Sequence, residues 1–340
     1  MQDINNILFI KLKSMGDVVF TLPALGLLRD NFPTARITYL TSAENAPIVA
    51  CFKEVDEVLT LDRKIFKQGK LLAMGAQTFD LLRRLRRGRF SLAIDLQCYA
   101  ETAALAWFTH ADQRWGYQLG GRLRRFAYTR SFPKPGDLNS VDGNLKLLTH
   151  FGLKPSPVRN RLQLPDQGRA EAAQFLAHHN LQPDVPTIFI QPFTSSPHKN
   201  WPLSSHLVVA DYCRARGLQL IFGGGPGEVS LLQPALAAGF PVCAGHSLAA
   251  VAWLVNQSAF VLGGDTGLLH LAVAMGKRVL MLMVPWGPGS CTPYGHPDWV
   301  LAPVRSPQLS EITPDAVNQA IVNALGSESI CALPSAQPRK

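Results

Sequence analysis

Short apolar runs alternate with longer amphipathic stretches along most of the chain. Ile7–Leu12, Arg36–Leu40 and Ser91–Leu96 have the length and nearly continuous hydrophobicity of buried strands. Between such runs, Val18–Leu28 and Ala100–Thr109 have the composition of helices. Strands that alternate with helices indicate a parallel sheet covered by helices on both faces. The pattern therefore predicts an α/β fold.

The same alternation begins a second time after Pro155–Pro165, a proline- and arginine-bearing stretch without periodicity. The strands predicted in this second half are Thr187–Gln191, Leu218–Phe222, Ala259–Leu262 and Arg278–Val284. A chain of 340 residues is also long for one typical domain. We therefore predict two domains, residues 1–165 and 166–326, with a cleft between them. Residues 327–340 follow Gly326 with little to hold them, so we predict a disordered tail.

The stretch Val261–Met275 combines the end of a strand with a buried helix. Gly263 and Gly264 are predicted to break the strand, and Asp265 and Thr266 are both good helix N-cap residues. A strand, a tight turn and a capped helix direct backbone N–H groups to one spot, which attracts anions and phosphate above all. His270 follows about one helical turn later and can face the same place. The alternative is an ordinary turn with a histidine in the core.

Two further loops follow predicted strands of the same half. Pro192–Pro202 contains Thr194, Ser195 and Lys199, which suit hydrogen bonding and charge pairing with phosphate. The glycine-rich Gly223–Gly227 is followed by Glu228, which can reach a ribose hydroxyl. Such loops often carry no function, but loops that follow strands of one parallel sheet converge. Their convergence predicts a nucleotide diphosphate site in the second domain.

Asp17 closes the first strand–helix turn, at the edge where open α/β sheets bind ligands. Its carboxylate can accept a proton from a hydroxyl, or it can simply cap the following helix. The turn lacks the G-x-G-x-x-G pattern, which disfavours a nicotinamide oxidoreductase. In a group transfer with a diphosphate leaving group, Asp17 would take the proton of the incoming hydroxyl, facing the donor across the cleft.

The net charge of +9 is carried by the first half. Residues 1–165 contain 24 Lys and Arg against 14 Asp and Glu, whereas residues 166–340 contain 9 against 10. The basic residues concentrate in Arg63–Arg89 and Arg122–Arg130. Such a field favours a polyanionic partner, whether nucleic acid, an anionic lipid surface or a phosphorylated glycan. The alternative is a basic face that is merely solvated.

Cysteine usage and hydropathy indicate the cellular compartment of the protein. The six cysteines are scattered and form no C-x-x-C pair, which argues against a zinc site or a disulfide framework and for a reducing cytoplasm. No apolar run has the length of a membrane span, and Met1–Ile10 lacks the basic region of a secretory signal. We therefore expect a cytoplasmic protein without a bound metal.

Four motifs resemble those of glycosyltransferase family 9, which contains the ADP-heptose:lipopolysaccharide heptosyltransferases. They are Lys11–Leu25 with its S-M-G-D turn, Asp95–Leu105, Lys199–Pro202 and Gly264–Ala272 with its D-T-G-x-x-H-L pattern. The resemblance implies a GT-B fold of two facing Rossmann-like domains and a metal-independent, inverting transfer without a cofactor. The sequence departs from the family pattern in two places. Phe193–His198 lacks the acidic residues often seen before the lysine, and Trp286–Pro288 replaces a more usual Gly-Pro-Thr-like turn. Both segments line the expected donor pocket and therefore bear on the identity of the sugar.

The resemblance also assigns site residues. It makes Asp17 the general base, and it places the sugar nucleotide, ADP-heptose, at a set of residues in the second domain. This donor set is Thr194, Ser195, Lys199, Glu228, Asp265, Thr266, Gly267 and His270. The implied acceptor is the phosphorylated inner core of lipopolysaccharide, bound by the basic first domain. The acceptor set is Lys11, Ser14, Arg63, Lys64, Arg122 and Arg124.

The basic half would also contact the anionic inner face of the inner membrane, each basic residue near the surface contributing about 1 kcal/mol. Two other functions stay open from the sequence. One is a family 9 transferase with a different donor or acceptor, and the other is a non-enzymatic nucleic-acid-binding protein, which would have no use for Asp17. The sequence leaves the oligomeric state open.

Overall fold

A computed structural model describes residues 4–63, 71–118, 126–284, 291–305 and 307–326. The chain divides into two compact units, Met1–Gln163 and Leu164–Lys340. The sequence places the junction at 165/166. Lys64, Arg122, Arg124, Trp286–Pro288 and the predicted tail lie outside the described residues.

The first unit is built on a six-stranded parallel sheet of order β3-β2-β1-β4-β5-β6. Its strands are β1 (Asn6–Ile10), β2 (Arg36–Ser42), β3 (Glu57–Leu61), β4 (Leu92–Asp95), β5 (Gln113–Gln118) and β6 (Arg130–Pro133). Its helices are α1 (Met15–Val19), α2 (Leu22–Asn31), α3 (Ala46–Val49), α4 (Leu71–Arg87), α5 (Ala100–Phe108) and α6 (Ser140–His150). The order is that of a dinucleotide-binding Rossmann sheet.

The second unit repeats the arrangement with the order β12-β11-β10-β7-β8-β9. Its strands are β7 (Thr187–Gln191), β8 (Gln219–Gly224), β9 (Val242–Ala244), β10 (Phe260–Gly264), β11 (Val279–Leu282) and β12 (Val300–Leu301). Its helices are α7 (Asp166–His178), α8 (Leu203–Arg214), α9 (Gln233–Ala237), α10 (Leu248–Gln257), α11 (Gly267–Ala274) and α12 (Pro314–Leu325). When β7 is counted as strand 1 and the sheet is read from β9, the order is again 3-2-1-4-5-6.

The central strands are buried on both faces, which explains their continuous hydrophobicity. Ile7 to Ile10 of β1 and Phe260 to Leu262 of β10 are fully buried. An all-parallel sheet needs a helical layer on each side, so alternate residues of a central strand are equally shielded from water. The predicted α/β class is confirmed, with two parallel sheets.

Three strands lack a continuous apolar run: β5 and β6 mix polar with apolar residues, and β12 has only two residues. The sequence of β5 is Gln-Arg-Trp-Gly-Tyr-Gln, and that of β6 is Arg-Ser-Phe-Pro. These strands lie at or next to a sheet edge, where polar side chains still reach water. Gly116 of β5 packs against the ring of Tyr128. A Cβ at this position would lie 2.6 Å from the ring, so a larger residue would clash.

Gly263 and Gly264 do not break their strand, contrary to the sequence expectation. Both belong to β10 and are buried. A Cβ on Gly263 would lie 2.4 Å from the carbonyl oxygen of Gln191, and one on Gly264 would lie 2.7 Å from Cγ2 of Thr194. The two glycines therefore let β7 and the loop that follows it close against β10.

Two predicted helices are divided in the structure. Val18–Leu28 is covered by α1 and α2; Pro23, from which the sequence predicts a helix start or a kink, lies in the first turn of α2. The sequence also predicts a helix over Glu228–Ala238, but this stretch begins at the end of the 3₁₀ turn Pro226–Glu228 and contains only the short α9, whose first turn holds Pro234. Proline in a helix interior would remove a hydrogen bond and clash with the preceding turn. No helix in the described part of the chain is both long and apolar enough to cross a membrane.

Candidate functional site

In each unit the sheet order reverses between two neighbouring strands, β1 and β4 in the first and β7 and β10 in the second. Open α/β sheets bind ligands at the carboxyl ends of the strands at such a point, because the two connections leave in opposite directions and open a crevice. The loops that begin there in the second unit carry Lys199 and Asp265. Those in the first unit carry Asp17 and Gln97.

Lys199, Asp265 and His270 form a connected chain in the second unit. Nζ of Lys199 lies 2.8 Å from Oδ2 of Asp265. Nε2 of His270 lies 2.9 Å from Oδ1 of the same carboxylate. An ionised carboxylate only accepts hydrogen bonds, so Nε2 is the donor and carries a proton. The predicted proximity of the loops 192–199 and 263–270 is present in the structure.

Burial of the three side chains decreases from His270 through Asp265 to Lys199. The His270 side chain is 3% exposed, that of Asp265 17% and that of Lys199 41%. Burial opposes ionisation of Asp265, but the hydrogen bonds from His270 and Lys199 outweigh it and hold the pKa of the carboxyl below its usual value. Asp265 is therefore a fixed anion, and the ammonium group of Lys199 is the part that faces solvent.

Of the two N-cap candidates, Thr266 caps α11. Its hydroxyl accepts from the amide of Leu269 at 3.4 Å, while the Asp265 carboxylate is engaged by Lys199 and His270. The amides of Gly267 and Leu268 open the helix, so no carbonyl within it can accept from them. Together with the helix dipole they make the start of α11 attractive to an anion.

Thr194 is buried and organises the loop after β7. Its amide donates to Oδ1 of Asn200 at 2.8 Å, and its hydroxyl donates to the carbonyl of Ser196 at 2.8 Å. Ser195 beside it is exposed. Thr194 is thus committed to loop structure, whereas Ser195 presents its hydroxyl to solvent. Asn200 was not singled out from the sequence; its place beside Lys199 was the available signal.

Glu228 is held by its own loop after β8. Its Oε2 accepts from the amide of Gly225 at 2.7 Å, which closes the 3₁₀ turn Pro226–Glu228. Oε2 also lies near Gly224, where a Cβ would be 3.3 Å away. The structure therefore gives Glu228 a capping contact, and its predicted bond to a ribose stays a prediction.

The loop that carries Lys199 is anchored in the core by its neighbour Trp201. The indole Nε1 donates to the carbonyl of Ile312 at 2.9 Å, and the ring meets His206 edge-on at 4.7 Å. His206 is fully buried, and its Nδ1 contacts the carbonyl oxygen of Pro202 at 3.1 Å. Burial lowers the pKa of His206 to about 4.

Because the pKa of His206 is depressed in the folded state, the free energy of unfolding decreases as the pH is lowered. Above pH 6.5 the imidazole is neutral in both states, so its contribution is constant; below it the unfolded chain takes up a proton and the folded chain does not. We expect the free energy of unfolding to fall by about 3 kcal/mol between pH 6.5 and 4 from this group. Urea titrations across this range should show a flatter profile in His206→Asn and an unchanged one in a substitution of the exposed His110.

Asp17 lies in the first turn of α1, and its two oxygens have different surroundings. Oδ2 accepts from the Ser14 amide at 2.9 Å, and the Ser14 hydroxyl lies 3.3 Å away. Oδ1 lies 3.9 Å from Nζ of Lys11. The Asp17 side chain is 38% exposed. One oxygen therefore caps the helix, as one sequence interpretation held, while the group as a whole stays open to solvent.

Lys11 lies mostly under this turn. Its Nζ donates to the carbonyl of Leu96 at 3.3 Å, and its side chain is 14% exposed. Burial lowers the pKa of Lys11 and outweighs the opposite effect of the Asp17 carboxylate. Lys11 and Ser14, both predicted acceptor residues, are thus direct neighbours of Asp17.

The segment after β4 supports the Asp17 turn from below. Oε1 of Gln97 accepts from the amides of Leu12 and Lys13 at 3.1 and 3.0 Å. Asp95 is fully buried and accepts from Tyr128 at 2.7 Å, and burial raises the pKa of its carboxyl. Gln97, Asp95 and Tyr128 are not among the site residues predicted from the sequence. The position of Gln97 and Asp95 within the Asp95–Leu105 motif was a signal for the first two, whereas Tyr128 had none.

Of the other predicted acceptor residues only Arg63 is described. Its Nη1 lies 3.5 Å from Oε1 of Glu44. In the part of the chain that the structure describes, no three His, Cys, Asp or Glu side chains are grouped so that they could hold a metal ion.

Comparison with known proteins shows the family of this chain. Residues 78–312 match the family described as Glycosyltransferase family 9 (heptosyltransferase). The chain belongs to glycosyltransferase family 9. It is therefore a glycosyltransferase, and the resemblance inferred from the motifs is confirmed.

Curated relatives and solved structures cover most of the chain. Lipopolysaccharide heptosyltransferase 3 of Escherichia coli is 23% identical over 78% of this chain and 80% of its own length. Lipopolysaccharide heptosyltransferase 1 of an E. coli O18:K1:H7 strain is 25% identical over 93% and 96%. The structure of a family 9 glycosyltransferase from Veillonella parvula has a TM-score of 0.85 at 22% identity, covering 95% and 97%. That of E. coli heptosyltransferase WaaC with ADP has a TM-score of 0.77 at 23% identity, covering 94% and 99%.

Two substitutions of His270 test how much its hydrogen bond to Asp265 contributes to stability. Glutamine keeps an N–H group near the position of Nε2, whereas asparagine is too short to reach Asp265. We expect His270→Asn to lose about 1–3 kcal/mol of unfolding free energy, because a buried carboxylate oxygen loses its donor. His270→Gln should retain most of it. Urea unfolding of both variants measures the difference, and equal losses would show that the bond to Asp265 is unimportant.

Proposed function

We propose that this family 9 enzyme transfers a heptose from ADP-heptose to a hydroxyl of the lipopolysaccharide inner core, with inversion and without a metal or cofactor. The observation that carries the proposal is the Lys199–Asp265–His270 chain at the start of α11, at the carboxyl end of β10. The curated relatives are named as lipopolysaccharide heptosyltransferases, and solved structures of similar fold were determined with ADP and with ADP-2-deoxy-2-fluoro heptose.

On the donor side, the site supplies positive charge for a diphosphate. When the bond between the sugar carbon and the phosphate oxygen breaks, the leaving diphosphate gains negative charge. The ammonium of Lys199 and the first amides of α11 would stabilise that charge more strongly in the transition state than in the bound donor. Asp265, fixed as an anion by His270, holds Lys199 in place and presents carboxylate oxygen to a sugar hydroxyl.

On the acceptor side, Asp17 would take the proton of the attacking hydroxyl. The new bond forms between that oxygen and the sugar carbon, on the face opposite the departing diphosphate, which inverts the configuration. The Ser14 amide fixes one oxygen of the carboxylate, so the other remains for the proton transfer. Arg63, Lys64, Arg122 and Arg124, with Lys11 and Ser14, are the proposed contacts of the phosphorylated acceptor.

We place this activity in the cytoplasm, at the inner face of the inner membrane, where the basic unit would meet anionic lipid. Nucleic acid is not among the proposed partners, since nothing in the Asp17 turn or the Lys199 chain would be needed to bind it. A family 9 transferase with another donor is the remaining alternative.

Nucleotide-dependent stabilisation tests the donor. A ligand that binds only the folded state raises unfolding free energy by about 2.7 kcal/mol at a concentration 100 times its Kd. We expect ADP to raise the unfolding temperature well above the shifts produced by GDP and UDP. A larger shift with GDP or UDP would favour the alternative donor and contradict the proposal.

A further inference from the structure

The exposed aromatic side chains of the described residues lie in the first unit, which also carries the excess positive charge. They are Phe79, Tyr99, Trp107 and Phe126. The large exposed hydrophobic side chains of the second unit are all aliphatic: Val208, Val229, Leu231, Leu236 and Val304. Scattered aliphatic residues are ordinary on a protein surface, whereas exposed aromatic rings among arginines call for an explanation.

Helix α4 has an apolar face toward the sheet and an aromatic and basic face toward solvent. Leu81 and Leu85 are buried. Phe79, Arg83 and Arg86 follow one another at spacings of four and three residues, so they share the opposite side of the helix. Phe79 is 70% exposed there. The 17 residues of α4 extend over about 25 Å.

Helix α5 lies beside α4, and its last residue contacts an arginine of the outer side of α4. The two helices pack together, and the guanidinium carbon of Arg86 lies 5.7 Å from the ring centroid of Phe108. Trp107, next to Phe108, is 53% exposed. We call Phe79, Arg83, Arg86, Trp107 and Phe108 the α4–α5 face.

The charge around the α4–α5 face is strongly positive. From the middle of α4 to the end of α5 the exposed or half-buried acids are Asp80 and Glu101, and the arginines are Arg83, Arg84, Arg86, Arg87 and Arg89. Asp80 is 4.0 Å from Arg84 and offsets that one guanidinium. Guanidinium groups pair with phosphates through planar, two-pronged hydrogen bonds.

We propose that the α4–α5 face docks the enzyme on an anionic phospholipid bilayer; this rests on the proposed function, which has the basic first unit meet anionic lipid, and names the surface that does so. Phe79 and Trp107 enter the headgroup region, where aromatic rings are favoured, and Arg83 and Arg86 pair with lipid phosphates. A helix with an arginine-rich outer side that also displays a phenylalanine has the composition of helices that lie in the bilayer interface. A purely electrostatic partner would use the arginines and gain nothing from the exposed rings.

Vesicle sedimentation of the full chain tests this proposal. We expect binding to vesicles of phosphatidylglycerol and phosphatidylethanolamine, little binding to phosphatidylcholine, and weakening with salt. Replacing Arg83 or Arg86 by Gln should lower the partition coefficient about fivefold each. Phe79→Ser and Trp107→Ser should each lower it roughly tenfold. The matched controls, Lys154→Gln for charge and Val208→Ser for an exposed apolar residue, should leave it unchanged.

Tryptophan fluorescence reports the same contact independently of sedimentation. Of the six tryptophans, Trp107 is exposed, Trp115, Trp201 and Trp299 are buried, Trp253 of the second unit is half-buried, and Trp286 lies outside the described residues. On addition of anionic vesicles the emission should shift to shorter wavelength and be quenched by brominated acyl chains, and Trp107→Phe should abolish both changes. Trp107 unquenched in bound protein would overturn the proposal.

Other occupants of the face give different results. Unchanged partitioning in the double variant Phe79→Ser/Trp107→Ser would overturn the proposal, and so would equal, ring-independent binding to a duplex oligonucleotide. A change in sedimentation coefficient caused by these variants without vesicles would show that a second copy covers the face, and this would also overturn it. Docking is measured without any transfer, so its failure and that of the proposed function are distinguishable: ring variants should retain transfer to a deacylated, water-soluble acceptor.

Discussion

Asp17→Asn is expected to lower kcat by about 10²–10⁴-fold, the range of a lost general base. Asparagine is almost the same size as aspartate and can still accept from the Ser14 amide, so the turn should keep its structure. It cannot take up a proton from the acceptor hydroxyl. Steady-state transfer rates at saturating donor and acceptor measure the effect. The unfolding temperature, with and without ADP, should match that of the unchanged protein.

The control for this variant is Asp112→Asn, which removes an exposed carboxylate from the same unit. It should leave kcat unaltered. Full activity of Asp17→Asn would show that another group accepts the proton, and Asp17 would then be only the cap of α1.

Lys199→Met is expected to lower kcat/KM by about 10²–10³-fold, because it removes the charge that, in the proposed function, stabilises the leaving diphosphate. Methionine keeps much of the length and apolar volume of the lysine stem. Asp265 would keep its hydrogen bond from His270 but lose its ion pair with Lys199. We expect the ADP-dependent rise in unfolding temperature to shrink, which separates this variant from Asp17→Asn.

Lys53→Met is the matched control, since Lys53 is an exposed lysine of the first unit. It should change neither kcat/KM nor the response to ADP. A Lys199→Met enzyme with reduced kcat and an unaltered response to ADP would place the lysine in the chemical step alone. An enzyme with unaltered kcat/KM would contradict a role for Lys199 in donor binding or leaving-group stabilisation.

The architecture was predictable because it is recorded in repeated local patterns. The buried strands β1, β7 and β10 are continuous apolar runs, and the loops after them carry the residues of the candidate site. The edge strands β6 and β12, and β5 next to an edge, were missed, since strands at or near an edge do not need that pattern. The sequence therefore predicted the central strands of both sheets.

Side-chain partners were less predictable than positions. Asp265 and Thr266 are both suitable N-caps, and only the approach of Lys199 from the loop after β7 decides that Thr266 caps and Asp265 does not. That approach depends on two glycines of β10, which sequence reasoning had taken as strand breakers. Gln97 holds the Asp17 turn through the amides of Leu12 and Lys13, 85 and 84 residues away in sequence, whereas Asn200 accepts from the amide of Thr194 within its own loop. The partner of Gln97 depends on the tertiary fold and cannot be predicted from neighbouring residues.

Product analysis of a single reaction tests the central claim most directly. The purified chain is incubated with ADP-heptose and an inner-core acceptor lacking heptose, with and without EDTA, and the acceptor is analysed by mass spectrometry. The proposed function predicts a gain of one heptose residue per acceptor, an equal amount of ADP released, and no effect of EDTA. An acceptor that gains mass only from a GDP- or UDP-sugar, or from none of the nucleotide sugars, would contradict it.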